Sequence, residues 1–126
     1  MIDHISIRVS NLEQSTRFYE KALGAIGYKR LTGDFDGAIG FAVSYPKDKF
    51  GSVWLVKEDY LTSGAHIAFA VPDIETVKKF YDAGMSAGGR DNGAPQRCPE
   101  YGENYYGGFV LDPDGNSIEA TTYIKS

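Results

Sequence analysis

Two stretches of the chain alternate apolar and polar residues in the way that half-buried β-strands do. They cover residues 4–9 and 66–71, and each begins with a histidine on its polar side. The apolar positions are Ile5, Ile7 and Val9 in the first stretch and Ile67, Phe69 and Val71 in the second. After each stretch the apolar spacing becomes that of an amphipathic helix, with Asn11 and Asp73 as candidate N-caps.

Short apolar segments separated by turn residues follow each predicted helix. We predict further strands at about 28–32, 38–45, 52–57, 89–92, 105–111 and 116–123. Asp112-Pro113-Asp114-Gly115 predicts a tight turn between the last two strands. Residues 92–104 form a loop of a length that often carries function. The predicted order of elements is β-α-β-β-β, and it occurs twice.

The two halves of the chain are copies of one unit. Residues 4–27 align with residues 66–89 without a gap. The identical pairs are His4/His66, Ile5/Ile67, Val9/Val71, Glu13/Glu75, Phe18/Phe80, Tyr19/Tyr81, Ala25/Ala87 and Gly27/Gly89. A repeat of this length indicates a tandem duplication. We therefore predict an α+β fold, a single domain over 1–126 made of two βαβββ repeats at about 1–61 and 62–126.

Composition narrows the class of protein. The chain has 126 residues, a formal net charge of −4 and 42% hydrophobic residues, which are values of an ordinary globular domain. The acidic balance argues against nucleic acid as a partner, and no apolar run is long enough to span a membrane. Cys98 is the single cysteine, so an internal disulfide and a cysteine-rich metal site are excluded. The N-terminal residues lack the pattern of a signal peptide, and we expect a cytoplasmic protein.

The chain has two histidines, and they occupy the same position in both repeats. If the two sheets are related by a pseudo-twofold axis, His4 and His66 face each other. Glu119 aligns with Trp54 at an offset of 65 residues. Its neighbours Ile118 and Ala120 are apolar and would cover the helix, so Glu119 lies on the polar face of its strand as well. Two imidazoles and one carboxylate are the donor set of a divalent metal site that leaves positions open for substrate. Each residue taken alone is also an ordinary polar residue on an exposed strand.

Two motifs stand at the ends of the chain. The first half carries a spaced set of residues, His4, Val9, Asn11, Leu12, Ser15, Phe18 and Tyr19. The end of the chain carries Asp-Pro-Asp-Gly-Asn from 112 to 116, followed by Glu119. In both motifs the chain resembles the vicinal oxygen chelate superfamily, which includes glyoxalase I, bleomycin resistance proteins and extradiol dioxygenases. Within this superfamily it resembles small glyoxalase-like proteins related to lactoylglutathione lyase.

The resemblance implies a curved-sheet cleft with a divalent metal ion bound by four strands. Carried over by position, the metal ligands are His4, His66 and Glu119, with Glu119 also the catalytic base. The metal would be zinc, nickel, iron or manganese. The fourth ligand position falls on Trp54, whose indole N–H is only a donor and cannot bind a cation.

Four further residues are predicted to contact the substrate. Arg8 shares a strand face with His4 and can hold an anionic group through a bidentate contact, or else pair with a nearby carboxylate. Trp54 offers a flat apolar wall. Tyr105 follows the long loop and can donate a proton, and Arg97 lies within that loop. Arg97 is a reason for the pKa of the neighbouring Cys98 to fall, but without a histidine to act as its base we expect this cysteine to be unreactive.

Three functions fit this pattern. The first is a metal-dependent lyase or isomerase of the glyoxalase type, acting on a small oxygen-bearing metabolite. The second is a non-catalytic protein that sequesters a drug or metabolite, as bleomycin resistance proteins do, and the departure at Trp54 favours it. The third is an extradiol dioxygenase, although no histidine is left over for its acid–base chemistry. The expected partners are a small molecule and, in a homodimer, a second copy of the chain.

Overall fold

The structure is a computed structural model that describes residues 2–43 and 52–125. The described residues contain two helices and nine strands. In chain order these are β1 (Ile5–Val9), α1 (Leu12–Gly24), β2 (Lys29–Arg30), β3 (Ile39–Ala42), β4 (Val53–Lys57), β5 (His66–Ala70), α2 (Ile74–Ser86), β6 (Arg90–Asp91), β7 (Gln96–Arg97), β8 (Tyr105–Leu111) and β9 (Ser117–Tyr123).

The strands form two sheets, one from each repeat, with the same strand order. The first sheet runs β1-β4-β3-β2 and the second runs β5-β9-β8-β6. In both, the first strand of the repeat pairs in parallel with the last strand, and the remaining pairs are antiparallel. The predicted α+β fold of two βαβββ modules is confirmed, and we call the two halves the first module and the second module.

Both helices begin where the sequence predicts. The side chain of Asn11 accepts a hydrogen bond from the backbone N–H of Gln14, and Asp73 does the same for Thr76. The helices pack against each other, α1 against β4 and α2 against β8 and β9. One cluster of buried side chains joins the modules, and it includes Phe18. Burial of a side chain of this size contributes about 1.5–3 kcal/mol.

The turn after β8 connects the second module to the first. Asp112 is 1% exposed and accepts hydrogen bonds from the backbone N–H groups of Asp114 and Asn116 and from the Tyr19 hydroxyl on α1. The Asn116 amide donates to the Thr62 carbonyl between the modules. Gly115 has a positive φ of 89°, which glycine tolerates best. The predicted turn is therefore present, and its polar side chains position the start of β9.

Two features differ from the sequence prediction. The long loop 92–104 contains the short strand β7, which pairs with β8. Its two residues are too few to show an alternating pattern, so only the pairing with a neighbouring strand defines it. The predicted strand 38–45 is β3, which ends at Ala42, and residues 44–45 lie outside the described residues.

Candidate functional site

Each sheet has a face turned away from its helix, and we call these the open faces of the two modules. On the second module the open face carries His66, Tyr105, Phe109, Ser117 and Glu119. The register places His66 opposite Ser117 and Phe109 opposite Glu119 on neighbouring strands. Residues that are paired across strands point to the same side of a sheet, so these side chains converge.

Glu119 is the centre of this open face. Its side chain is 1% exposed, and both of its oxygens take part in hydrogen bonds. Oε1 lies 2.9 Å from His66 Nε2, and Oε2 accepts from the Tyr105 hydroxyl at 2.5 Å. A buried carboxylate without partners would be costly, and these two contacts offset its loss of hydration.

A glycine makes room for the Glu119 carboxylate. Gly107 lies on β8 beside it, and a Cβ built at this position would be 2.7 Å from Glu119 Oε2. That distance is shorter than real Cβ contacts. The missing side chain at residue 107 therefore lets the carboxylate reach across β8 to Tyr105.

His66 has a partner on each ring nitrogen. Nε2 faces the Glu119 carboxylate, and Nδ1 lies 3.0 Å from Ser117 Oγ. Because a carboxylate can only accept, the proton is assigned to Nε2, and Nδ1 accepts from the Ser117 hydroxyl. The His66 side chain is 52% exposed and stacks on Phe109, with ring centroids 6.0 Å apart. The imidazole is thus oriented by its neighbours but open to a ligand.

The hydroxyl of Tyr105 is held in its protonated form. Burial, followed by the hydrogen bond to Glu119, raises the pKa of Tyr105 to about 12. A group with this pKa donates a hydrogen bond across the physiological range and does not act as a base. The ring of Tyr105 contacts the rings of Tyr101 and Tyr123, whose centroids are 5.5 Å and 5.3 Å from its own.

Two adjoining cavities lie on this open face. One, of about 440 Å³, is lined by His66, Tyr101, Tyr105, Phe109 and Glu119. The other, of about 410 Å³, shares His66, Tyr101 and Phe109 and extends to Asn92, Gly93, Gln96, Cys98, Glu100 and Ser117. Their walls combine aromatic rings with hydrogen-bonding groups, which is the usual lining of small-molecule sites. We call the two together the Glu119 cavity.

The Cys98 thiol is not activated by the neighbouring Arg97. Cys98 is 3% exposed, and its burial, together with the charge of Glu100, raises the pKa of the thiol instead of lowering it. The neighbouring Arg97 is exposed on β7, and Gln96 and Cys98 on either side of it line the cavity. Because side chains alternate along a strand, Arg97 points away from the cavity. Its predicted contact with a substrate stays a prediction.

The open face of the first module carries Trp54 and Arg8. Val53 and Leu55 are buried, and the Trp54 ring lies on the opposite side, over Gly40 and 5.2 Å from the Phe35 ring. The predicted side of Trp54 therefore agrees with the structure. Trp54 is not among the residues that line the Glu119 cavity.

Arg8 has no carboxylate partner among the described residues, although its alternative interpretation requires one. No ion pair of Arg8 occurs within residues 2–43 and 52–125. Its guanidinium carbon lies 4.9 Å from the centroid of the Tyr60 ring, in a cation–π contact, and its Nε is buried without a hydrogen-bond partner in that part of the chain. Binding of an anionic group by Arg8 stays a prediction.

The first histidine lies apart from the second. His4 is exposed, and its Nδ1 is 2.7 Å from the carboxylate of Asp3. Among the residues that the structure describes, no group of three or more His, Cys, Asp and Glu side chains is arranged to hold a metal ion. One chain thus brings together Glu119 and His66 but not His4, and the ligand set predicted from the resemblance is not assembled within it.

The donor chemistry of the site leads to the same conclusion. Imidazole nitrogen and carboxylate oxygen are suitable ligands for zinc or iron, but a protein site needs at least three of them. Trp54 occupies the fourth position and offers no lone pair. The contacts of Glu119 with Tyr105 and of His66 with Ser117 leave one donor atom on each side chain for a metal ion. The described residues of a single chain therefore supply two ligands, fewer than a complete metal site needs.

Sequence reasoning did not find Ser117, Asn92 and Gly107. Ser117 is two residues before Glu119, so the alternation of the strand already placed it on the same face. Asn92 begins the long loop, but no local pattern predicts its contact with Ser117. Its amide donates to Ser117 Oγ at 3.2 Å, although the two residues are 25 positions apart in the chain. A Gly-Gly pair at 107–108 inside an apolar strand was the available signal for close approach of another group.

Comparison with known proteins agrees with the fold. Residues 1–120 match the family model described as the glyoxalase/bleomycin resistance protein/dioxygenase superfamily. A search of curated proteins found no match. None of the described helices is long and apolar enough to cross a membrane.

Solved structures with the same fold cover nearly the whole chain. A glyoxalase/bleomycin resistance protein from Albidiferax ferrireducens T118 is 23% identical, with a TM-score of 0.80 over 97% of this chain and 98% of that one. A family enzyme from Burkholderia phytofirmans PsJN is 14% identical, with a TM-score of 0.72 and 98% of each chain covered. A glyoxalase-related enzyme from Fulvimarina pelagi is 20% identical, with a TM-score of 0.71 over 97% of this chain and 87% of that one. At these identities the likeness shows the fold alone.

Proposed function

The chain belongs to the glyoxalase/bleomycin resistance protein/dioxygenase superfamily, and we propose that it binds a small oxygen-bearing molecule in the Glu119 cavity. One observation carries the proposal. The buried carboxylate of Glu119 is held between His66 and Tyr105, beside a cavity with aromatic walls. A preorganised polar cluster of this kind orients a ligand without first having to be ordered itself.

The chemistry of the cavity defines the ligand. The rings of Phe109 and Tyr101 suit a planar ligand, and the exposed part of the His66 ring lies beside them. The carboxylate of Glu119 accepts hydrogen bonds and disfavours a ligand anion placed next to it. A flat molecule with neighbouring hydroxyl or carbonyl oxygens and no negative charge at that end fits these groups.

Catechol is a suitable probe because it combines a flat ring with two adjacent hydroxyls. We expect calorimetry to detect its binding in the presence of a metal chelator. Replacing His66 with Ala should weaken binding by about tenfold, the loss expected for one good hydrogen bond. His4→Ala is the matched control, because it changes the equivalent histidine of the other module and should leave the affinity unaltered.

Two results would contradict the proposal. One is equal loss of affinity in His4→Ala and His66→Ala, because His4 does not line the Glu119 cavity. The other is catechol affinity that does not depend on His66 at all. Cyclohexane-1,2-diol, which keeps the hydroxyls but lacks the aromatic ring, should bind more weakly if Phe109 and Tyr101 stack on the ligand.

A second candidate is a metal-dependent lyase or isomerase. His66 Nε2 and Glu119 Oε1 are 2.9 Å apart, a separation that two ligands of one ion also have, and this observation favours it. A bound divalent ion would polarise a substrate carbonyl. The missing ligand would have to come from elsewhere, for example from the exposed His4 of a second copy, in which case the working unit is a homodimer.

Elemental analysis separates the two candidates. The metal-dependent function requires about one divalent ion per chain in the wild type, with the metal lost in both His4→Ala and His66→Ala. Metal binding that survives His4→Ala would contradict it. Catechol binding in a metal-free protein would support the binding function.

A further inference from the structure

An unbroken chain of hydrogen bonds crosses the Glu119 cavity, and we propose that it makes Ser117 a nucleophile for acyl transfer. The Ser117 hydroxyl faces His66 Nδ1 at 3.0 Å, and His66 Nε2 faces Glu119 Oε1 at 2.9 Å. A hydroxyl, an imidazole and a buried carboxylate in this order form the arrangement that activates serine in hydrolases. The inference uses the same cavity as the proposed binding function and adds a reaction to it.

The secondary structure holds the three groups in place. Ser117 and His66 are direct neighbours on the parallel strands β9 and β5, and Glu119 lies one position further along the same face of β9. Sites built on strands keep their geometry better than sites built on loops. Tyr105 occupies the other oxygen of Glu119, so the carboxylate cannot rotate away from the imidazole.

Each group has a defined role in proton transfer. His66 can accept the Ser117 proton because its Nδ1 is the unprotonated nitrogen. The carboxylate of Glu119 is 1% exposed and stabilises the imidazolium that forms. Tyr105 is the positioning residue that fixes this carboxylate.

The surroundings of Ser117 indicate the substrate class. Ser117, His66 and Asn92 line the same part of the cavity, about 410 Å³ in volume, together with the rings of Tyr101 and Phe109. The Asn92 amide lies 3.2 Å from Ser117 Oγ, where it can donate to the oxyanion of a carbonyl under attack. A small uncharged ester with a flat aromatic alcohol group fits these walls.

The reaction has two steps. Ser117 Oγ forms a bond to the acyl carbon, its proton passes to His66 Nδ1, and the ester C–O bond breaks. The departing alkoxide takes that proton, whereas a stable phenolate leaves as the anion and His66 gives the proton to solvent. Water then attacks the acyl carbon, one water proton passes to His66 Nδ1, the bond from that carbon to Ser117 Oγ breaks, and His66 returns the proton to Ser117 Oγ. The products are one carboxylic acid and one alcohol, and no oxidant or reductant is needed.

The test is hydrolysis of p-nitrophenyl acetate by the full chain in the presence of a metal chelator. We expect an initial burst of p-nitrophenol of about one equivalent and an acetyl group on the peptide that contains Ser117. Ser117→Ala should abolish the burst and slow turnover by about a hundredfold. Ser52→Ala is the matched control, because Ser52 is the counterpart of Ser117 in the first module and lies outside the cavity.

Several outcomes would overturn the inference. They are the absence of a burst in the wild type, equal rates in Ser117→Ala and Ser52→Ala, and an acetyl group on Cys98 or on His66 instead of Ser117. Loss of activity in His66→Ala with full activity in Ser117→Ala would identify the imidazole itself as the nucleophile.

Catechol affinity keeps this test separate from the proposed function. Catechol binding by the wild type shows that the cavity is folded, whether or not Ser117 reacts with the ester. Catechol binding without any acyl-enzyme supports the binding function and overturns the inference. Acylation of Ser117 in a protein that does not bind catechol supports the inference and contradicts the proposed binding function.

Discussion

Trp54 and Glu119 occupy the same position in the two modules. Trp54 is paired with Ser6 across β4 and β1, and Glu119 is paired with Ala68 across β9 and β5. Ser6 and Ala68 are themselves equivalent in the repeat. Duplication thus produced two similar faces, of which one carries a buried carboxylate and the other an indole. This difference explains why, among the described residues, the polar cluster lies on the second module.

The Glu119 carboxylate should be important for stability as well as for binding. Glu119→Gln keeps the size of the side chain but replaces one accepting oxygen with a donor, which then faces either Tyr105 or His66. We expect the free energy of unfolding to fall by about 1–3 kcal/mol in urea denaturation. Glu103→Gln is the control, since residue 103 is exposed. Equal stability of the two variants would show that the hydrogen bonds of Glu119 contribute little.

The space at Gly107 should be required for the same cluster. In Gly107→Ala the new Cβ would be 2.7 Å from Glu119 Oε2, so the carboxylate must move away from Tyr105. Overpacking of this kind typically costs about 1–3 kcal/mol. Gly102→Ala is the control, because its Cβ would meet nothing closer than 3.7 Å. A Gly107→Ala protein with wild-type stability and catechol affinity would contradict this account of the glycine.

The raised pKa of Tyr105 predicts a specific loss of stability in alkali. The pKa is about 12 in the folded protein and 10.0 in its ordinary state, so the unfolded chain gives up this proton first. The contribution of Tyr105 is complete below about pH 10 and is lost as the pH rises from there to about 12. Urea denaturation across this range should show a shallower decline for Tyr105→Phe than for the wild type.

The control for this pH dependence is Tyr101→Phe, which removes the hydroxyl of an exposed ring, 63% accessible. It should retain the wild-type decline. Tyr19 also has a raised pKa, because it is buried and next to Asp112, and its contribution is common to all of these proteins. If Tyr105→Phe and wild type decline in parallel, the hydrogen bond to Glu119 does not persist in solution.

Trp54 fluorescence should show whether a ligand bound at the open face of the second module also contacts the open face of the first module. Trp54 is the only tryptophan, and it does not line the Glu119 cavity. We therefore expect catechol to leave its emission unchanged while calorimetry still detects binding. A change in emission on binding would instead favour the single cleft that the sequence predicted, in which Trp54 and Glu119 face one ligand.

The sequence by itself determined the features that depend on the alternation of residues along a strand, on the spacing of residues along a helix and on the repeat. The two helices with their caps and the sides of β1, β4, β5 and β9 need only neighbouring residues, because the pleat of a strand and the turn of a helix repeat within a few positions. The duplication and the equivalence of Trp54 with Glu119 follow from comparing the two halves of the sequence.

Only the tertiary structure decided which of these side chains meet. The pairing of β5 with β9 brings His66 to Ser117 and Glu119, and the pairing of β8 with β9 brings Tyr105 to the same carboxylate. The relative position of the modules depends on the packing of α1 against α2, which no local period encodes. This packing leaves His4 apart from His66, although the repeat gives both histidines the same place in the sequence.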